Sequence, residues 1–103
     1  MSLLASSRPA AAQTVAVYTV PTQRRATINI NCCNVGASSA RVRLAVSADA
    51  TPADAQWIEW DAALDPSGVL ERTGIVLSAG QKLFARSDTG AVNVAVWGIE
   101  EIA

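Results

Sequence analysis

From Thr14 onward the apolar positions of the chain recur every second residue and never sustain a 3.6-residue period over three turns, a pattern that predicts strands and no long helix. The clearest run is Ala40 to Ser47, where Val42, Leu44 and Val46 alternate with Arg41, Arg43 and Ala45, as in an antiparallel strand with one buried face. Thr14 to Val20 precedes it and stops at Pro21-Thr22-Gln23. Ala26 to Val35 follows, with Ala26, Ile28, Ile30 and Cys32 on one face and Thr27, Asn29, Asn31 and Cys33 on the other. Gly36 to Ser39 then turns the chain into the Ala40 run.

Residues 48 to 55 carry a proline and two aspartates and read as a polar loop with room for one helical turn. Gln56 to Ala62 returns to strand character. Asp65-Pro66-Ser67-Gly68 is a turn signal, because proline presets its own φ and glycine accepts a positive one. Val69 to Leu77 is the next strand, with a bulge expected at Thr73-Gly74. Gln81 to Arg86 and Ala91 to Glu100 complete the set, with Val92, Val94 and Val96 sharing a face. Seven or eight short strands of this kind predict an all-β chain, a single antiparallel β-sandwich or jelly roll over residues 14–103. Residues 1–13, rich in Ala and Ser, show neither period and predict an extended N-terminal arm outside the core.

Composition sharpens this picture. Of the 103 residues, 50% are hydrophobic, but Ala and Val supply the excess, so the core is built from small side chains and gains from contact with neighbours. Eight basic and nine acidic residues are scattered without runs, which disfavours nucleic acid as a partner. Arginine outnumbers the lone Lys82, a bias that suits protein interfaces, where the planar guanidinium pairs with carboxylates. No apolar stretch approaches the roughly 20 residues of a membrane helix, and the start lacks the pattern of a signal peptide. The expectation is a soluble, unprocessed, cytoplasmically made protein with no membrane partner.

Candidate chemistry is sparse. The chain has no histidine, which removes the commonest general base and metal ligand. Glu59 and Asp61 share a face of a predicted strand and could approach one another, although solvated acids on a strand are far commoner. The acidic residues from Asp49 to Asp65 lack the spacing of a calcium loop, and no glycine-rich phosphate loop is present. No cofactor is expected. Trp57 and Trp60 have opposite parity and should point to opposite faces, which spoils a flat sugar-binding platform. Trp97 alternates against the valines and either faces outward, as an anchor for a protein or a sugar, or lies on a second buried face beneath a neighbouring loop. Cys32 reads as core, and Cys33 as exposed and available for a bridge to another subunit or simply as an unreactive thiol.

Several phrases together resemble a family of small virion proteins of tailed bacteriophages. They are Val17-Tyr18-Thr19-Val20-Pro21, the run from Ile28 that ends in Cys33-Asn34-Val35-Gly36, Trp57-Ile58-Glu59-Trp60-Asp61, and the closing Val94-Ala95-Val96-Trp97-Gly98-Ile99-Glu100. They look like the family's "YTVP" start, "CN-x-G" turn, "Y-I-x-Y-D" strand and "V-x-G-x-E" ending, and span nearly all of the chain from about Thr14. Cys32 departs from the single cysteine of the pattern, which leaves a cross-linking role in doubt. The resemblance implies a non-enzymatic, all-β subunit of the virion, in capsid decoration, the neck or collar, or the tail. Its partners would be copies of itself and other virion proteins, and a glycan is the alternative partner. The expected interface residues are Leu3, Leu4 and Arg8 on the arm and Cys33, Arg41, Arg43 and Trp97 on the strands.

Overall fold

A computed structural model describes residues 2–103 and contains eight strands: β1 (Ser2–Ser7), β2 (Val15–Thr19), β3 (Arg24–Asn34), β4 (Ala40–Ser47), β5 (Trp57–Leu64), β6 (Val69–Ser78), β7 (Lys82–Ser87) and β8 (Val92–Ile102). They form two four-stranded sheets, β1-β8-β3-β6 and β2-β7-β4-β5, with every pairing antiparallel. The partners are nested: Ser2 lies opposite Gly98, Val15 opposite Ala85, Cys33 opposite Val69, and Ala40 opposite Leu64. The chain is thus one long hairpin, folded back near residues 48–56 and rolled so that β8 also meets β3 and β7 also meets β4. This is the jelly-roll form of the β-sandwich, as the alternation along the strands predicts.

The core lies between the sheets. One sheet contributes Ala26, Ile28, Ile30 and Cys32 from β3, Val92, Val94 and Val96 from β8, and Leu77 from β6. The other contributes Tyr18, Val42, Leu44, Leu64, Leu83 and Ala85. The bulge expected at Thr73-Gly74 is present: β3 shifts register against β6 between Ile28 and Ile30, and Gly74 takes a φ of 69°. The loop between β4 and β5 carries a single 3-10 turn at Asp54–Gln56.

The N-terminal segment differs from the sequence expectation. Ser2–Ser7 is extended but is also the edge strand of the first sheet, paired with β8, and Leu4 and Ala5 pack against the core. Pro9 is fully buried behind it. The sequence shows no sustained alternation here because β1 bulges between Leu3 and Ala5, which breaks the two-residue period after only two positions.

The phrases that carry the family resemblance have structural work. Asn34 is fully buried, and its side-chain amide donates to the carbonyls of Ser38 and Leu64, each at 2.9 Å, while its Oδ1 accepts from the Gly36 N–H at 3.0 Å. One side chain therefore ties the β3–β4 turn to the end of β5. Gly98 has no substitute in its place, because a Cβ there would lie 2.0 Å from the Thr27 carbonyl oxygen of β3.

Candidate functional site

With the core enclosed, the surfaces open to a partner are the outer faces of the two sheets. On the β2-β7-β4-β5 sheet, Leu83, Ala85, Val42 and Leu44 point inward, so Lys82, Phe84, Arg86, Arg41, Arg43 and Ala45 point outward. Ala16, Phe84, Ala45 and Trp57 are successive neighbours across the four strands. Phe84 is only 3% exposed although it lies outside the core cluster, so this face has a small apolar floor of its own.

Above that floor stands an ordered aromatic and charged group. The rings of Trp57 and Trp60 meet edge to face with centroids 5.5 Å apart. The Arg43 guanidinium stacks on Trp60 at 3.6 Å from the ring centre and grips Asp61 with both prongs, Nε to Oδ1 at 2.7 Å and Nη2 to Oδ2 at 3.2 Å. Arg41 donates to the Asp61 carbonyl at 3.3 Å. Hydrogen bonding from Arg43 holds the Asp61 carboxyl below its ordinary range, with the charges of Arg43, Arg86 and Arg41 acting in the same direction. Trp60 nevertheless remains 58% exposed, an indole held rigid by its neighbours and open to solvent.

Two sequence expectations are corrected at this point. Trp57 and Trp60 do not lie on opposite faces, and Glu59 and Asp61 do not share one. The cause is a doubly bulged β5, whose register against β4 shifts on both sides of Leu44, and Asp61 adopts a φ of 53°. Parity counting fails across each bulge. Glu59 is taken by Arg72 of the other sheet at 2.8 Å, closing one edge of the sandwich, while Asp61 turns out toward Arg43.

The outer face of the β1-β8-β3-β6 sheet is apolar in a different way. Leu3, 65% exposed, is the register partner of Trp97, and Ile99, Thr27 and Val76 form the adjoining row. Trp97 is outward but half-buried. Cys33 sits between Asn93 and Val69 on this face, also half-buried. Arg8 donates through Nε to Asn93 at 2.6 Å, beside an open depression of about 350 Å³ lined by Ser6, Ser7, Asn93, Val94 and Ala95. Of the seven expected interface residues, Leu3, Trp97, Cys33 and Arg8 share this face and Arg41 and Arg43 share the other, whereas Leu4 turns toward the core. Sequence reading missed Trp60, since nothing in the pattern marks the bulges of β5, and Phe84, which lies between Ala16 and Ala45 of two strands distant in sequence.

Cys32 is fully buried, and burial, reinforced by the charge of Glu59, pushes its thiol up to about 12. It is therefore a protonated core side chain. Among the described residues no group of three or more His, Cys, Asp or Glu side chains is placed to hold a metal ion, and no helix is long and apolar enough to cross a membrane.

No protein-family model matches this sequence, and no curated protein matches it. Among solved structures the chain is similar to a pentameric capsid protein isolated from metagenomic phage sequences. In one crystal structure the TM-score is 0.48 at 16% identity, over 99% of this chain and 66% of that one. In a second the TM-score is 0.42 at 18% identity, over 99% of this chain and 63% of that one. This chain thus spans somewhat less than two thirds of the length of the proteins it matches.

Proposed function

We propose that this protein is a non-enzymatic structural subunit of a tailed-phage virion, in capsid decoration, the neck or collar, or the tail, and that it acts by assembling with copies of itself and with other virion proteins. The observation that carries this reading is the outward face of the β2-β7-β4-β5 sheet, where an exposed tryptophan is held rigid by an arginine clamp. Tryptophan and arginine are the residue types that most often dominate protein interfaces, and an anchor already fixed in place loses little entropy on binding. The motif residues point the same way. Asn34 and Gly98 maintain the scaffold, and the side chains left over for function lie on two broad faces rather than in a cleft.

The test is the mass of the purified native protein by light scattering across a concentration series, with and without reductant. A defined oligomer supports the reading, and reductant sensitivity would assign a bridge to Cys33. A monomer at every concentration, combined with saturable glycan binding that Trp97→Ala abolishes, would replace it with the adhesion reading.

A further inference from the structure

Charge is distributed very unevenly over this sandwich. The outer face of the β2-β7-β4-β5 sheet bears Arg41, Arg43, Lys82 and Arg86, four of the eight cationic side chains, against two of nine carboxylates, Asp61 and, at its margin, Asp88, whose Oδ1 accepts from the Arg41 N–H at 2.8 Å. It therefore has an excess of two positive charges on a chain whose net charge is −1, and the remainder of the molecule carries three negative charges in excess. The segment between β4 and β5, residues 48–56, contributes to that excess with Asp49 and Asp54 and contains no cation. Both aspartates are exposed, and neither side chain has a hydrogen bond or an ion pair among the described residues.

We infer that the cationic, tryptophan-bearing face of one subunit receives the acidic β4–β5 segment of the next, so that copies join head to tail. This rests on the self-assembly reading above and specifies its contact. Charge complementarity selects the occupant. A two-fold contact of this face with itself would set two excess positive charges against two, so the contact is between unlike surfaces, the arrangement that yields closed rings or filaments rather than dimers. Polyanions fit less well. Arg43 and Arg41 are already engaged by Asp61, and Lys82 holds the Ala48 carbonyl at 3.0 Å. Arg86 is left to meet a new anion, whereas a phosphate backbone is held by many uncommitted cations. A short acidic segment needs no more than that, with Trp60 beside it as an apolar anchor.

The experiment uses the full chain and two exposed-site variants, Arg86→Glu on the face and Asp49→Arg with Asp54→Arg on the segment, each checked for the native β circular dichroism spectrum. Light scattering should show the midpoint of assembly moved at least tenfold upward in concentration for each variant alone. Mixing the two should restore assembly, because the intact segment of one meets the intact face of the other, and at the alternate contact both partners carry reversed charge and remain complementary. A wild-type oligomer that both variants reproduce unchanged overturns the inference and leaves self-assembly standing. A wild-type monomer at every concentration removes both. Binding of wild-type protein to a short DNA duplex, lost in Arg86→Glu while oligomer mass is unchanged, would reassign the face to a polyanion.

Discussion

Tyr18 on β2 donates its phenolic hydroxyl to Glu100 on β8 at 2.5 Å, joining the two sheets through residues from opposite ends of the chain. The two belong to the phrases "YTVP" and "V-x-G-x-E" through which the sequence resembles small virion proteins, so those phrases meet in space. Tyr18 is 7% exposed, and removing its hydroxyl leaves the ring packed while Glu100, at the rim, regains water. Tyr18→Phe should therefore cost about 1 kcal/mol of stability, read as a lower denaturant midpoint at unchanged m-value.

Alkaline pH should unfold the protein in stages. Burial, the hydrogen bond to Glu100 and its charge together raise the Tyr18 pKa above its ordinary value, and burial raises that of Cys32 to about 12. A raised folded-state pKa contributes stability that is complete below the unfolded-state value and is lost as pH rises toward the folded one. Stability should be flat near neutrality and fall from about pH 8.5, first through Cys32 and then through Tyr18. Thermal melts across this range check it. Cys32→Ala should flatten the early part of the fall and Tyr18→Phe the later part.

Native thiol labelling should separate the two adjacent cysteines. Cys33 is half-buried on an outer face and Cys32 is sealed in the core, so a thiol reagent should modify Cys33 in the native protein and Cys32 only after unfolding. In Cys33→Ser the native reaction should vanish.

Two scaffold positions should tolerate almost nothing. Gly98→Ala pushes a methyl group into the β3 backbone, at a cost of about 3 kcal/mol or more, because a carbonyl rather than a movable side chain stands in its way. Asn34→Ala strips the Leu64 carbonyl of its side-chain donor in a buried turn and should cost about 2 to 3 kcal/mol. Chemical denaturation of each variant checks both values.

Much of this architecture was legible because the strands with a buried face, β4 and β8 above all, alternate without interruption. The turn at Asp65–Gly68 and the bulge at Thr73-Gly74 were legible for a related reason, since glycine and proline mark the places where the backbone departs from the ladder. The bulges in β1 and β5 contain neither residue. Asp61 takes its positive φ as an aspartate gripped by Arg43, and no local pattern announces that partner eighteen positions away. The outward position of Trp97 was legible from its alternation against Val92, Val94 and Val96, whereas that of Leu3 depends on the pairing of β1 with β8, which the sequence does not announce. The Trp60 clamp was hidden, since it exists only after β4 and β5 are paired out of step.

The nested pairing of the strands bears on how the molecule comes into being. The last strand in sequence, β8, occupies the middle of the first sheet, between β1 and β3, so those strands have no common neighbour until the final stretch has been synthesised. Contacts so distant along the chain make folding slow, on the millisecond-to-second scale of non-local β topologies, and delay it until the chain is nearly finished. Without β8 the first sheet falls into two parts, β1 alone and the β3–β6 pair, whereas every strand of the β2-β7-β4-β5 sheet is already present. The face that carries Leu3, Trp97 and Cys33 therefore exists only once the strand farthest along the chain has slid between two earlier ones, while the face that carries Trp60 does not wait for it.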